Sequence, residues 1–287
     1  AQDLGLAQPA LSQQLAILEH DMQVRLLHRS RQGVAPTAAG RQFYRQARVI
    51  IRQVEDARSL VRAADESLAG AVSIGFPNSA AAVLCLPLIR RIAAEHPQIE
   101  IRITESYSAL LTGMTQKGEL DLSVLYQDTP PPGMDAEPLW VEDLLLVSPP
   151  GPGQKAQVPL ATVAEVPMMV PGKANSARII LDKCLQERGI SATPAVQADS
   201  LVTLKKAVQQ GLGHTILPWP AVADEVKAGL LHVASFADAR LSRTVALCVP
   251  DAVPPTPARA KVAEIIRTAA AEALAQGENL GMHPPSD

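Results

Sequence analysis

At 287 residues, with 47% hydrophobic and 19% charged residues, the composition is that of a folded globular chain of two or three domains and excludes a disordered or fibrous one. A net charge of -3 speaks at first against nucleic acid, yet residues 1–69 hold nine arginines against seven acids while residues 70–287 hold 17 basic and 22 acidic residues. Within residues 1–52 the balance is seven arginines to three acids, so a small basic head precedes an acidic body.

The chain opens on Asp3-Leu-Gly-Leu6, which reads as the end of a helix passing into a tight turn at Gly5. Pro9 is tolerated in the first turn of the next helix, where its missing N–H would have no partner anyway. Leu11, Leu15, Leu18 and Met22 recur every three or four residues, a stripe predicted to pack inward. Gln8, Ser12, Gln13 and Gln14 stand at the front of that helix on the other side. A glutamine can bond twice to an adenine edge and a serine can reach base or phosphate, so this is a plausible reading face. Polar residues on an exposed helix are common, and the case for DNA rests on the neighbouring segments.

Beyond this helix comes Arg29-Ser-Arg-Gln-Gly33, a charged loop that could act as a wing, laying Arg29 and Arg31 along phosphates or into a minor groove. A solvated basic hairpin is the plainer alternative. Thr37 is placed to cap the next helix, whose first N–H groups would suit a phosphate. This order of turn, polar-fronted helix, wing and helix is that of a winged helix-turn-helix on duplex DNA. A helix-turn-helix needs an earlier helix, and Ala1 already lies near that helix's end, so the intact protein is expected to begin roughly twenty residues earlier.

From Ala38 to about Leu68 a long helix is predicted, with Phe43, Ala47, Ile50, Ile51, Val54, Leu60, Val61 and Leu68 as apolar positions. It would span roughly 45 Å, more than so small a head can cover. A second copy of the chain is one cover, and the chain's own domain the other.

The body begins with Ala71–Phe76 as a strand, a helix over 80–94, Ile99–Thr104 as a second strand, a helix from Ser108 to Lys117, and Leu120–Leu125 as a third strand. This βαβαβ rhythm predicts an open parallel sheet with helices outside. A second lobe is expected from Asp143, with strands at 167–170, 195–198 and 215–217 and helices at 176–188 and 201–210. The strand Thr244–Val249 is compatible with either lobe. A helix over 256–276 follows, and residues 278–287 read as a flexible tail.

In such sheets ligands sit beyond the carboxyl ends of the strands, where helix starts point their N–H groups. Three of these joints carry hydroxyls or amides: Asn78 and Ser79, Ser106 and Ser108, Asn175 and Ser176. Singly each reads as a helix cap, and together they would suit a small anion or carboxylate. Tyr126-Gln-Asp128, after the third strand, adds polarity to the same cleft. No nucleophile elbow, zincin, P-loop or dinucleotide motif is present, and His20, His28, His96, His214, His232 and His283 show no metal-ligand spacing, so neither catalysis nor a cofactor nor a metal is expected. Cys85, Cys184 and Cys248 are far apart in apolar surroundings and read as core thiols. With no signal peptide and no membrane-length apolar run, cytoplasmic residence is the default expectation.

These residues carry a resemblance. Ala7-Gln-Pro-Ala-Leu-Ser-Gln-Gln14, Leu18-Glu19, Leu26-Leu27, Arg29 and Pro36-Thr-Ala-Ala-Gly40 in the head resemble the LysR-type transcriptional regulators. Ser73-Ile-Gly-Phe76, Gly118-Glu-Leu-Asp121 and Gly211-Leu-Gly-His-Thr-Ile-Leu-Pro218 extend the likeness through the body, and the nitrogen-assimilation-control and catabolic-pathway branches are similar. The resemblance implies an α/β protein with a winged helix-turn-helix over 1–40, a linker dimerisation helix over 41–69, and a two-lobed, periplasmic-binding-protein-like effector domain over 70–277. It implies DNA contacts from Gln8, Pro9, Ser12, Gln13, Arg29, Arg31 and Thr37, and a carboxylate at Ser79 and Ser108. Asn175 and Ser176 are added from the second lobe. It also implies self-association as a dimer or a dimer of dimers and a cleft for an effector; the physical hypothesis is that the effector rearranges the oligomer on a promoter and RNA polymerase is recruited or blocked in consequence. The alternative is a two-lobed solute-binding protein with an unrelated helical head.

Overall fold

The computed structural model describes residues 7–30, 33–62, 68–127, 129–251, 256–275 and 281–285. The chain divides into two compact units, Ala1–Arg58 and Ser59–Asp287.

In the first unit α1 (Gln8–Asp21) starts from an extended Ala7, with proline in its first turn. It ends at Met22 and the turn residue Gln23, which has φ 53°. Strands β1 (Leu27–Ser30) and β2 (Gly33–Pro36) pair antiparallel from Leu27 opposite Pro36 to Ser30 opposite Gly33, so the expected wing is a hairpin. Helix α2 (Ala38–Arg62) follows. The end predicted for it near Leu68 reaches beyond the described residues, as does the turn predicted at Gly5. Thr37 caps α2 as expected: its Oγ1 accepts the Gly40 N–H at 2.9 Å while donating to the Arg25 carbonyl at 2.8 Å.

The predicted inward stripe on α1 is only partly covered. Leu11, Leu15 and Leu18 are half-buried, and Met22 is 42% exposed because it lies past the helix end, where the chain turns away. What ties α1 to the wing is Glu19, whose Oε1 accepts both the Leu26 N–H at 2.7 Å and the Leu27 N–H at 2.9 Å. Those two bonds, assisted by Arg29 and Arg25, hold its carboxyl below the usual carboxylate range. With the folded value lowered, the contribution is present above the ordinary glutamate range and is lost as pH falls through the folded value. Protection factors at the Leu26 and Leu27 amides, taken relative to unstructured peptide at each pH, should therefore fall on acidification, and Glu19→Gln should flatten that acid limb; a limb unaltered by the substitution would remove Glu19 from this role.

The second unit has two lobes. In the first, β3 (Gly70–Phe76) pairs parallel with both β4 (Ile99–Glu105) and β5 (Leu122–Tyr126), with α3 (Asn78–Glu95) and α4 (Ser108–Gln116) as crossovers. The sheet is not wholly parallel as predicted. Strand β12 (Ser242–Pro250) returns from the far lobe antiparallel to β5 and to β6 (Met134–Ser148), which assigns the Thr244–Val249 stretch to the first lobe. Asp121, at the start of β5, accepts the Ser73 N–H at 2.6 Å and its hydroxyl at 3.0 Å, pinning the sheet from inside. Helix α9 (Pro257–Ala275) covers this lobe, whose core gathers Ile74, Phe76, Leu84, Trp140, Val262 and Ile266.

Strand β6 runs on into the second lobe, so the boundary expected at Asp143 falls inside a continuous strand. There it pairs antiparallel with β10 (Thr215–Pro218) and β11 (His232–Phe236). The sequence carries no sign of β11, whose five residues are too short and mixed to show a period. Leu144 and Leu146 pack on one face with Leu160, Leu181 and Ile216, while Leu145 and Val147 pack on the other with Leu204 and Val208. Burial on both faces explains the unbroken apolar run. Helices α6 (Ser176–Glu187) and α7 (Leu201–Gln209) supply those two layers. Short elements complete the lobe: β7 (Gln157–Val158) beside β11, the parallel pair β8 (Met169–Val170) and β9 (Val196–Gln197), and the helices α5 (Thr162–Glu165) and α8 (Ala223–Lys227).

The flexible tail predicted over 278–287 is corrected in part. Within it β13 (Met282–His283) pairs antiparallel with β6 at Glu142 and Val141, Met282 is 9% exposed, and His283 bonds Asp143 at 2.8 Å. Two residues are too few to carry a period, and the pairing depends on a strand more than a hundred positions away.

Candidate functional site

A cavity of about 250 Å³ lies between the lobes of the second unit. It brings together all seven residues singled out from the sequence: Asn78, Ser79, Ser106, Ser108, Tyr126, Asn175 and Ser176. Gln127 also lines it, whereas Asp128 lies outside the described residues. The joints place them there because each strand ends on the same edge of its sheet and each helix starts beside it.

Of these residues only Asn175 caps its own helix, its Oδ1 accepting the Ala177 N–H at 3.0 Å. The starts of α3 and α4 follow Pro77 and Tyr107, which provide no side-chain cap. The Ser108 hydroxyl instead accepts the Tyr126 N–H at 3.1 Å, and the Ser79 hydroxyl bonds the Tyr126 hydroxyl. Desolvation pushes the Tyr126 phenol up to about 12 against the pull of Arg243, so it remains protonated.

Two charged residues that sequence reasoning missed organise the cleft floor. The Arg243 guanidinium donates to Glu142 Oε1 from Nε at 2.8 Å and lies 2.6 Å from it through Nη2. It also donates from Nη2 to Ser79 at 3.1 Å and from Nη1 to Ser176 at 2.7 Å, and stacks 3.4 Å from the centroid of Tyr126. Glu142 is fully buried, and its Oε2 accepts the Trp140 indole N–H at 3.2 Å. Arg243 shares strand parity with buried Val245 and Leu247, and Glu142 with Trp140 and Leu144, which marks each as inward-facing without showing that the two meet. Arg243 thus bonds Ser79 in the first lobe and Ser176 in the second. At the rim the Tyr107 hydroxyl crosses as well, donating to the Asp199 carbonyl at 3.1 Å.

His214, in the glycine-rich joint, is not among the residues lining the cavity. Its backbone ties Pro167 and Met169, and desolvation lowers its imidazole's proton affinity. Burial likewise pushes the Cys85 and Cys248 thiols up to about 12; Cys184 and Cys248 are buried as expected, whereas Cys85 is half-buried against the first-lobe core. Among the described residues no group of three or more His, Cys, Asp or Glu is arranged to hold a metal, and no helix is long and apolar enough to cross a membrane.

In the first unit Gln8, Pro9 and Gln13 are exposed on the front of α1 and Ser12 is half-buried beside them. Ala7 provides no side-chain cap there. Arg29 is exposed on β1, and Thr37 has its hydroxyl engaged as described. Arg31 lies outside the described residues. Along α2, Tyr44, Ile50, Ile51 and Val54 are between 47% and 58% exposed, an apolar stripe that the described residues leave open.

A winged helical head and a two-lobed body with a polar cleft define a DNA-binding transcriptional regulator with a small-molecule-sensing domain. Comparison with known proteins agrees. The family described as bacterial regulatory helix-turn-helix protein, lysR family, matches residues 1–41, and the LysR substrate binding domain matches residues 65–271. The chain belongs to the LysR family, which sets aside the solute-binding alternative. It is 39% identical over 220 residues to the nitrogen assimilation regulatory protein nac of Klebsiella aerogenes, covering 76% of this chain and 72% of that one. A full-length OxyR variant from Pseudomonas aeruginosa superposes with a TM-score of 0.72 at 24% identity, over 94% of this chain and 87% of that one. Full-length LysG from Corynebacterium glutamicum, solved with bound effector Arg, does so with a TM-score of 0.66 at 16% identity, over 99% of this chain and 92% of that one. These two show the fold.

Proposed function

We propose that the cleft binds a small organic anion, a carboxylate in particular, and that its occupancy changes how a dimer or dimer of dimers of this chain engages a promoter. The observation that carries this reading is the convergence of helix starts from both lobes, hydroxyls and one guanidinium on a single cavity. Helix starts and arginine both favour a carboxylate, and the cavity is of a size for a small metabolite. LysG, a protein of this fold, has been solved with a small effector bound. The exposed Ile50, Ile51 and Val54 stripe on α2 supports pairing of two chains through that helix. Ligand-driven change requires unequal affinity for the two arrangements, and the resulting movement on DNA would recruit or block RNA polymerase. The test is a thermal-shift screen of the full chain with carboxylates and their matched amides. A carboxylate that raises the melting temperature and alters the promoter footprint is expected; stabilisation by the amides alone would overturn the anion reading.

On the DNA side, Gln8, Pro9, Ser12 and Gln13 form the groove-facing set, with Arg29, Arg31 and the start of α2 beyond Thr37 on phosphates. Gln13→Ala is expected to lose about 1–3 kcal/mol of discrimination between operator and random DNA. Arg29→Ala should weaken both and reduce the slope of log affinity against log salt by about one. Salt titrations on both duplexes check the pair, and equal losses for the two variants on both DNAs would contradict the assignment.

A further inference from the structure

The charge arithmetic of the cleft narrows the ligand class. Among the described residues lining the cavity, Arg243 is the only cationic side chain and Asp199 the only anionic one. The Arg243 charge is already matched by Glu142, which has no exposed surface and faces the guanidinium edge through Nε and Nη2. One face of the guanidinium is covered by the Tyr126 ring, and Nη2 is further engaged by Ser79. Nη1 is different: it carries two hydrogens, and among the described residues Ser176 is its only hydrogen-bond partner. The uncapped starts of α3 and α4 add partial positive charge, each equivalent to roughly half an elementary charge at most. Ile179, Leu201, Leu204, Ile216 and Leu217 add apolar surface to the same lining.

Resting on the carboxylate reading above, we propose that this cleft selects monoanions bearing an apolar body and rejects dianions such as phosphate monoesters, with Glu142 as the residue that sets the limit. A single negative charge is met by Nη1 and the helix starts. A second would enter a site whose one cation is spent and whose rim holds Asp199, and would be desolvated without a partner. Glu142 touches no ligand in this scheme; it acts through Arg243, and is a positioning and charge-setting residue.

The experiment compares phenylacetate with phenyl phosphate on the full chain, by calorimetric titration in mildly alkaline buffer where the phosphate is a dianion, with phenylacetamide as neutral control. Phenylacetate is expected to bind at least about tenfold more tightly than phenyl phosphate. Glu142→Gln frees one positive charge and should narrow that ratio by about tenfold or reverse it. Asp199→Asn, an exposed substitution that leaves the core alone, should move it the same way by a smaller factor and serves if Glu142→Gln fails to fold. A dianion preference in the unaltered chain, or a ratio that neither substitution moves, would overturn this inference while leaving an anion site in place. Binding of phenylacetamide alone, or of none of the three, would overturn the carboxylate reading together with it.

Discussion

Arg243→Met is expected to destabilise the body by about 3–5 kcal/mol, the cost of leaving one member of a buried ion pair alone. The side chains of Arg243 and Glu142 are 6% and 0% exposed, so the carboxylate left behind is one without exposed surface of its own. It would keep only the Trp140 indole N–H at 3.2 Å. Three further contacts vanish with the guanidinium: those to Ser79 and Ser176 and the stacking on Tyr126. The double variant Glu142→Gln with Arg243→Met removes both charges and leaves an amide oxygen for Trp140. It should recover most of the loss, because the penalty lies in the unpaired charge rather than in the missing attraction. Urea unfolding followed by the fluorescence of Trp140 and Trp219, both in the body, measures each variant. A single variant costing under about 1 kcal/mol, or a double variant no better than the single, would show that the pair is solvated in the working protein.

Gly40→Ala is expected to abolish operator binding by unfolding the head. A β-carbon at Gly40 would stand 1.9 Å from the Leu26 carbonyl oxygen and 2.8 Å from its carbon, closer than any non-bonded contact allows. The obstacle is backbone and cannot rotate away. It is fixed from two sides, since the Leu26 oxygen accepts the Thr37 N–H at 2.9 Å and the Leu26 N–H is held by Glu19 at 2.7 Å. Relief requires prising α2 from the chain leading into the wing, at a cost of at least about 3 kcal/mol, the upper range of overpacking. A module of this size has little more than that to lose. Loss of amide protection in α1 and of affinity for an operator selected in vitro would be the signature. Wild-type affinity in Gly40→Ala would mean that the close approach is not maintained in solution.

The elements that carry one apolar stripe or a regular alternation with loops are legible in the sequence. The Leu11, Leu15, Leu18 spacing marks α1, and the βαβαβ rhythm from Ala71 marks β3 to β5 and the two helices between them within a residue or two of their real ends. The joints are legible because hydroxyls and amides cluster at helix starts, and Asn78, Ser79, Ser108, Asn175 and Ser176 do line one cavity. Their local roles are less so: only Asn175 caps its own helix, the serine hydroxyls being drawn to partners from other strands. Arg243 and Glu142 stay hidden because their pairing spans 101 positions and depends on β12 lying beside β6. Such register is a tertiary fact that no local period carries. The same holds for β13, whose two residues have meaning only against β6.

Strand β6 bears on what the body can do when its cleft fills. Fifteen residues from Met134 to Ser148 belong to both halves, laddered to β12 and β13 at one end and to β10 and β11 at the other. An extended backbone is already near its maximum length and hydrogen-bonded along its edges, so it is stiff to stretching and soft only to torsion and flexure. The halves therefore share an axle: the common strand resists their separation and leaves a pivot about the segment near Glu142 as the softest relative motion the fold allows.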